Sequence, residues 1–148
     1  MKRLAKFMRL SGRRQRLLLR VWIELNLTSL GLRLLPLPTM LRWFGTNPET
    51  PVASPRKNVP LRKDEIIWTV RAAAALAWRP TCAVRALVAE RLFRRNGHTV
   101  QFKVGVRAGE DFQAHAWVED AGGILVGESE RPYHPLPDLS AGDMVTPS

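Results

Sequence analysis

Three stretches of this chain repeat apolar residues at the spacing of an α-helix. The first covers residues 13–35, and its apolar stripe consists of Leu18, Val21, Leu25, Leu32 and Leu35. The residues largely off that stripe are charged: Arg13, Arg16, Arg20 and Glu24. The pattern predicts an amphipathic helix, or two helices separated at Gly31, ending at Pro36 and Pro38.

The second and third stretches predict shorter helices. In residues 64–78, Asp64 is the predicted N-terminal cap because its carboxylate can accept a free amide hydrogen. The apolar face of this helix comprises Ile67, Val70, Ala74 and Ala77. A new helix begins after Pro80, with Thr81 as its cap and Gly97 as its C-terminal stop. Its predicted buried face comprises Val84, Leu87, Val88 and Leu92.

Beyond residue 98 the pattern changes to the runs expected of short strands. Three strands are predicted: TVQFKVGV (99–106), QAHAWVE (113–119) and ILVGE (124–128). DAGG, between the last two, predicts a tight turn, whereas the proline-rich tail after residue 131 is not expected to continue the sheet. The predicted class is therefore α+β, with helices in front, one helix bearing Cys82 at its start, and then a small antiparallel sheet.

Composition divides the chain into four predicted segments. These are a basic amphipathic helical segment (1–44), a Pro-rich linker (45–63), a core (64–137) and a flexible tail (138–148).

Charge is spread unevenly along the chain. Residues 1–63 hold 14 Lys/Arg against two Glu, a net charge of +12, whereas residues 64–148 hold nine Lys/Arg against 11 Asp/Glu, a net charge of −2. A basic segment attracts nucleic acid, an anionic membrane surface or an acidic peptide. We do not expect nucleic acid as a partner, because few aromatic residues interleave the basic ones. Peripheral membrane contact through the N-terminal helices stays open.

Two further features bear on location. No stretch reaches the roughly 18–20 uncharged apolar residues of a spanning helix, so we expect a soluble or peripheral protein. The chain has one cysteine and therefore no internal disulfide, and a reducing cytoplasm is the expected location.

The single cysteine lies in the stretch WRPTC, residues 78–82. If Thr81 caps the helix, Cys82 is the first residue inside it. The thiol then lies near unpaired backbone amides and the positive end of the helix dipole, a setting that favours the thiolate. The alternative interpretation is a small buried apolar residue.

A cysteine nucleophile needs a base, and His115 is the best candidate. If DAGG turns between Ala121 and Gly122, paired residues sum to 243 and Glu128 stands opposite His115. A carboxylate there would accept the imidazole N–H, which is the role of the third member of a triad. Asp120 is the fallback, and an ordinary surface charge is the alternative for Glu128. One cysteine and three scattered histidines form no zinc pattern, so no metal or cofactor is expected.

The order of these motifs resembles the transglutaminase-like, papain-type thiol fold: Cys at a helix start, His-Ala-Trp on a strand, and an acidic residue on the next strand. More narrowly, residues 64–137 resemble the lasso-peptide leader peptidases, small maturation proteins of bacterial lasso-peptide gene clusters. The resemblance implies a cysteine endopeptidase that removes the leader of a lasso precursor peptide. Cys82 would form a thioester, and His115 would act as general base and acid. Glu128 would be the third member, although the family typically has Asp there.

The resemblance also implies partners. These are the lasso precursor peptide, a separate leader-recognition protein and an ATP-dependent lasso cyclase. Two other functions stay open on the sequence. One is a non-catalytic basic adaptor that binds a precursor peptide or nucleic acid. The other is an acyl transferase of the same fold, in which an amine takes the thioester in place of water.

Overall fold

The computed structural model describes residues 11–36, 39, 60–107, 113–128 and 134–135. Within these residues three helices come first: α1 (Gly12–Leu34), α2 (Lys63–Ala74) and α3 (Cys82–Arg95). Four strands follow: β1 (Gln101–Arg107), β2 (Gln113–Asp120), β3 (Gly123–Val126) and β4 (His134–Pro135). Most of the predicted linker and all of the predicted tail lie outside the described residues, so the division into four segments stays a prediction.

The strands form one antiparallel sheet in the order β3-β2-β1-β4. Helices followed by a small antiparallel sheet are the α+β arrangement that the sequence predicts, and that class is confirmed. The proline-rich stretch after residue 131 was not expected to continue the sheet, but two of its residues do so, because His134 and Pro135 pair with Val106 and Gly105 on the outer edge of β1. A proline is tolerated there because an edge strand needs few ladder hydrogen bonds.

Helix α1 is continuous. Of the two alternatives that the sequence left open, the single helix is the one observed, since α1 runs through Gly31 to Leu34. Its end does lie where the prolines predict, with Leu35 in an extended conformation because the residue before a proline is disfavoured in the α region. The buried residues of α1 are Leu18, Val21, Leu25 and Thr28.

The side of α1 opposite these buried residues is also apolar. We define its outward face as Leu19, Ile23, Leu27, Leu30 and Leu34, all of which are exposed. The apolar stripe predicted from the sequence accounts for only one side of this helix. Trp22 lies between the two faces, and its indole N–H donates to the carbonyl of Leu76 over 3.1 Å.

Helix α2 begins one residue before the predicted cap. Asp64 lies inside the helix, and the backbone N–H of Arg62 donates to the carboxylate of Glu65 over 3.2 Å, so the predicted Asp64 cap is wrong. The buried face is Ile66, Thr69, Val70 and Ala73, which is rotated from the predicted one.

Helix α3 packs on β2, and α1 packs on both α2 and α3. The residues of α3 that were predicted to be buried, Val84, Leu87, Val88 and Leu92, are all buried. Most of them join a single apolar core with residues of α1, α2 and the sheet, including Ala116 and Val118 of β2. Residues of the predicted N-terminal segment therefore contribute to the same core as the sheet.

Short connections fix the direction of the elements. β1 follows α3 after five residues, and its first residue, Gln101, pairs with Glu119 near the end of β2. The backbone N–H of Leu61, just before α2, donates to the side chain of Asn96 at the end of α3 over 3.0 Å. The start of α2, the end of α3 and the end of β2 therefore lie together. The start of α3, at Cys82, lies at the other end of this 14-residue helix, whereas β3 pairs only with the last residues of β2, from Val118 to Asp120.

Candidate active site

Cys82 is the first residue of α3. The side-chain oxygen of Thr81 caps the helix by accepting from the backbone N–H of Val84 over 3.3 Å. The thiol is a free cysteine, half-buried against the apolar core. It therefore lies at the positive end of a 14-residue helix, where backbone amides favour an anion.

The loop before Cys82 is strained and apolar. Arg79 has a positive φ of 43°, which is uncommon for a residue with a side chain and is often found near functional sites. Leu76 and Trp78 are exposed on this loop, and 78% of the surface of Trp78 is accessible to solvent. An exposed apolar surface thus precedes the thiol in the chain.

His115 is the third residue of β2 and is half-buried. Its ring stacks on that of Trp117, with centroids 6.2 Å apart and planes inclined by 21°. These two side chains share one face of β2, because alternate residues of a strand do so. Ala116 and Val118 occupy the other face and belong to the core.

Cys82 begins α3, and His115 lies near the start of β2, the strand on which α3 packs. His115 Nε2 lies 2.6 Å from the carbonyl oxygen of Gly127.

The predicted opposition of His115 and Glu128 is wrong. Glu119 pairs with Ile124, as the sum of 243 requires, but Val118 pairs with Val126 because the ladder is irregular between Val118 and Glu119. β3 thus contains one extra residue, and a one-residue slip turns side chains to the other face. The Glu128 carboxylate instead forms an ion pair with Arg71 of α2, at 3.0 Å between Oε2 and Nη2.

Asp120, the fallback for the third member, is engaged elsewhere. Its carboxylate accepts from the ammonium of Lys63 and from the backbone N–H of Gly122. The Lys63 hydrogen bond is the main reason that the pKa of Asp120 is lowered. Five residues of extended strand, about 17 Å, separate it from His115.

Gly127 is the residue of this site that sequence reasoning missed. Its φ of +97° is in the region that favours glycine, and a Cβ there would lie 2.8 Å from both the Ala116 carbonyl oxygen and the Trp117 Cβ. The backbone of Gly127 can approach β2 this closely only because the residue has no side chain. A glycine at the end of a strand next to the candidate histidine was the available signal.

Glu90, on α3, is an acid whose pKa is shifted far from its ordinary value. It lies on the buried side of α3, with its side chain only 4% exposed and 3.6 Å from Arg94. Desolvation raises its pKa to about 7, against the opposing attraction of Arg94. Its position, two turns into the helix from Cys82, makes it part of the core and not of the thiol's surroundings.

A groove of about 660 Å³ lies between the start of α1 and the start of α2. Its lining includes Arg13, Arg14, Asp64, Glu65 and Trp68. It lies at the end of α2 away from Cys82, so we do not assign it to the chemistry of the thiol.

Among the described residues, no three His, Cys, Asp or Glu side chains are grouped as a metal site would require. None of the described helices combines the length and hydropathy that crossing a membrane requires.

The amino-acid sequence matches one known protein family. The sequence profile of the transglutaminase-like superfamily matches residues 30–139, which include the end of α1, both shorter helices and the whole sheet. No curated protein and no solved structure matches the chain.

Proposed function

Because the chain belongs to the transglutaminase-like superfamily, we propose that it is a cysteine endopeptidase that removes the leader from a lasso precursor peptide. The superfamily includes cysteine proteases and acyltransferases, both of which use a thioester. The observation that carries the proposal is the half-buried thiol of Cys82 at the start of α3, the helix that packs on the strand bearing His115. The leader-peptidase specificity rests on the motif resemblance over residues 64–137.

The proposed reaction has two stages. The thiolate of Cys82 attacks the carbonyl carbon at the junction of leader and core, and a carbon–sulfur bond forms as the carbonyl becomes an oxyanion. The tetrahedral intermediate collapses, the carbon–nitrogen bond breaks, and protonated His115 donates its proton to the departing amine. His115 then takes a proton from water, whose oxygen forms a bond to the thioester carbon. The carbon–sulfur bond breaks, and the leader leaves as a carboxylic acid while Cys82 returns to the thiolate and His115 remains protonated.

The backbone N–H of Cys82 is a candidate donor to the oxyanion. It is one of the first amides of α3, which have no acceptor within the helix. Such donors stabilise the transition state because they already point to where the negative charge develops. For this chemistry the imidazole must come within hydrogen-bond reach of the thiol, about 3 Å, when substrate is bound.

The closest alternative is acyl transfer, in which an amine attacks the same thioester. The first stage is identical, so the residues around Cys82 serve both reactions. A primary amine added to the reaction distinguishes them, because a transferase yields a leader–amine adduct and a peptidase yields the free acid.

We propose that the leader-recognition protein binds to the outward face of α1. A helix that is apolar on both sides normally buries both sides. Here five neighbouring aliphatic residues are exposed, which is more apolar surface than a helix facing water normally shows. Leu27→Glu should slow leader removal in the presence of the recognition protein and leave alkylation of Cys82 unchanged. Binding to anionic phospholipid vesicles that the same substitution abolishes would instead assign this face to a membrane. The ATP-dependent cyclase would act afterwards on the released core peptide.

Mass spectrometry of the precursor peptide, incubated with this protein and the recognition protein, tests the proposed function. We expect one cut at the leader–core junction, and none with Cys82→Ala. Unchanged cleavage by Cys82→Ala would overturn Cys82 as the nucleophile. The absence of cleavage by the folded wild-type protein would favour a basic adaptor, for which the arginines of α1 would be the binding residues.

A further inference from the structure

We propose that the backbone carbonyl of Gly127 takes the place of the acidic third member of the catalytic group, so that Gly127 is a positioning residue and Glu128 is not part of the site. This inference rests on the proposed thiol chemistry of Cys82 and His115. It does not depend on which peptide is cleaved.

The first support is the contact itself. A carbonyl oxygen only accepts hydrogen bonds, so at 2.6 Å from Gly127 O the Nε2 atom of His115 must carry the hydrogen. In the neutral ring, Nδ1 is then the basic nitrogen. The contact therefore fixes the tautomer, which is what the acidic third member does in a triad.

The second support is that the backbone of Gly127 is held in place. It follows directly on Val126, which pairs with Val118 in the ladder, and its position against Ala116 and Trp117 leaves no room for a Cβ. The acceptor is therefore part of the sheet and not the end of a flexible side chain. The stacked ring of Trp117 restrains the imidazole from the neighbouring position on the same face.

The third support is the position of the only acidic side chain on this segment that the structure describes. The Glu128 carboxylate is engaged with Arg71, and its side chain is 67% exposed. The extra residue in β3 accounts for this arrangement, because a ladder continued from Val118 and Val126 would set Glu128 opposite Ala116 and not opposite His115. The irregularity thus turns the acid away and leaves the carbonyl of Gly127 at the imidazole.

A neutral acceptor has a chemical consequence. It orients the imidazole as a carboxylate does, but it brings no negative charge to stabilise the imidazolium. Removing the charge of Glu128 should therefore leave the reactivity of the thiol unchanged, whereas removing the imidazole should not.

The experiment measures the rate of Cys82 alkylation by iodoacetamide between about pH 5 and about pH 9, where thiolate formation governs the rate. It compares the wild-type chain with Glu128→Gln, His115→Ala and His98→Ala. The last is a matched control, because His98 Nε2 lies 2.7 Å from another backbone carbonyl, that of Leu61, at the other end of α3. Substituting Gly127 itself is uninformative here, since any Cβ meets the backbone of β2.

We expect Glu128→Gln and His98→Ala to follow the wild-type profile within about twofold, and His115→Ala to lower the rate near neutral pH by about tenfold or more. A Glu128→Gln profile displaced like that of His115→Ala would overturn the proposal and restore the carboxylate as third member. Wild-type rates in His115→Ala would overturn the thiol–imidazole pairing itself.

Nitrogen-15 NMR of the imidazoles provides a second readout that folding alone does not produce. The neutral ring of His115 should carry its hydrogen on Nε2, in the wild type and equally in Glu128→Gln. A hydrogen on Nδ1, or a tautomer that changes in Glu128→Gln, would contradict the assignment. Neither measurement needs a precursor peptide, so failure of leader removal and failure of this inference are distinguishable.

Discussion

Cys82 and His115 owe their positions to different parts of the chain. The start of the helix that bears the thiol is determined within three residues of it: Thr81 caps α3, and the backbone N–H that it binds belongs to Val84. The imidazole is positioned by Gly127, twelve residues away, across a ladder that contains an extra residue. Local chemistry thus determines one half of the candidate site, and strand register determines the other. Substitutions near Cys82 and substitutions at Gly127 should therefore have different effects on the free energy of unfolding.

The largest effect on stability is expected at Gly127. Gly127→Ala should destabilise the fold by about 2–4 kcal/mol, because it combines an unfavourable positive φ with contacts of 2.8 Å to β2. Urea unfolding measures this change.

Gly97 provides the matched control for that substitution. It also has a positive φ, of 80°, but a Cβ there would meet nothing within 4 Å. Gly97→Ala should cost only about 1 kcal/mol. Equal losses at the two glycines would show that backbone conformation alone matters, and that the close approach of Gly127 to β2 does not.

The next effect concerns Glu90 and pH. Its folded-state pKa of about 7 is above the ordinary value of 4.5, so the native state favours the protonated acid. Stability from this group is fully present below about pH 4.5 and is lost as the pH rises through about 7, by up to about 3 kcal/mol. Glu90→Gln should remove that slope in unfolding measured across this range. If the free energy of unfolding of Glu90→Gln still changed with pH as in the wild type, another group would be responsible for the pH dependence. The same variant also shows whether a pH effect on Cys82 alkylation comes from a change in stability.

A smaller effect is expected at Thr81. Thr81→Ala removes the acceptor of the Val84 N–H and should cost about 1 kcal/mol, with slower alkylation of Cys82 because the first turn of α3 is less well ordered. Thr81→Ser keeps the hydroxyl and should behave like the wild type. Equal losses in both variants would show that the methyl group, and not the cap, stabilises this turn.

The smallest effect is expected at the Arg71–Glu128 pair. Both side chains are more than half exposed, so Arg71→Gln or Glu128→Gln should change the free energy of unfolding by about 0.5 kcal/mol or less. A loss of several kcal/mol in chemical denaturation would mean that this pair holds the end of β3 in place.

The difference between the two halves also explains what the sequence could predict. The start of α3 and its buried residues Val84 and Leu87 follow from a cap, a proline and helical spacing, which act over a few residues. The position of Glu128 does not, because one extra residue in β3 changes every later pairing and leaves no local signature.

Helix α1 shows the same limit. Its buried stripe was predictable at Leu18, Val21 and Leu25, whereas the sequence left open whether the helix continues through Gly31. A glycine's cost of about 1 kcal/mol in a helix is easily offset when the helix packs on two others. The spacing that identified one apolar side likewise gave no indication of what the other side contacts.

The central claim is that Cys82 and His115 act as one catalytic unit. The most direct test compares the rate of leader removal by His115→Ala, Cys82→Ala and the double variant, with the recognition protein present. When two residues act as a unit, the effects of substituting them are not additive. The rates of all three variants should therefore fall to the same low value, about a thousandfold or more below the wild-type rate. A His115→Ala rate within about tenfold of the wild type, or a double variant clearly slower than Cys82→Ala, would contradict the account.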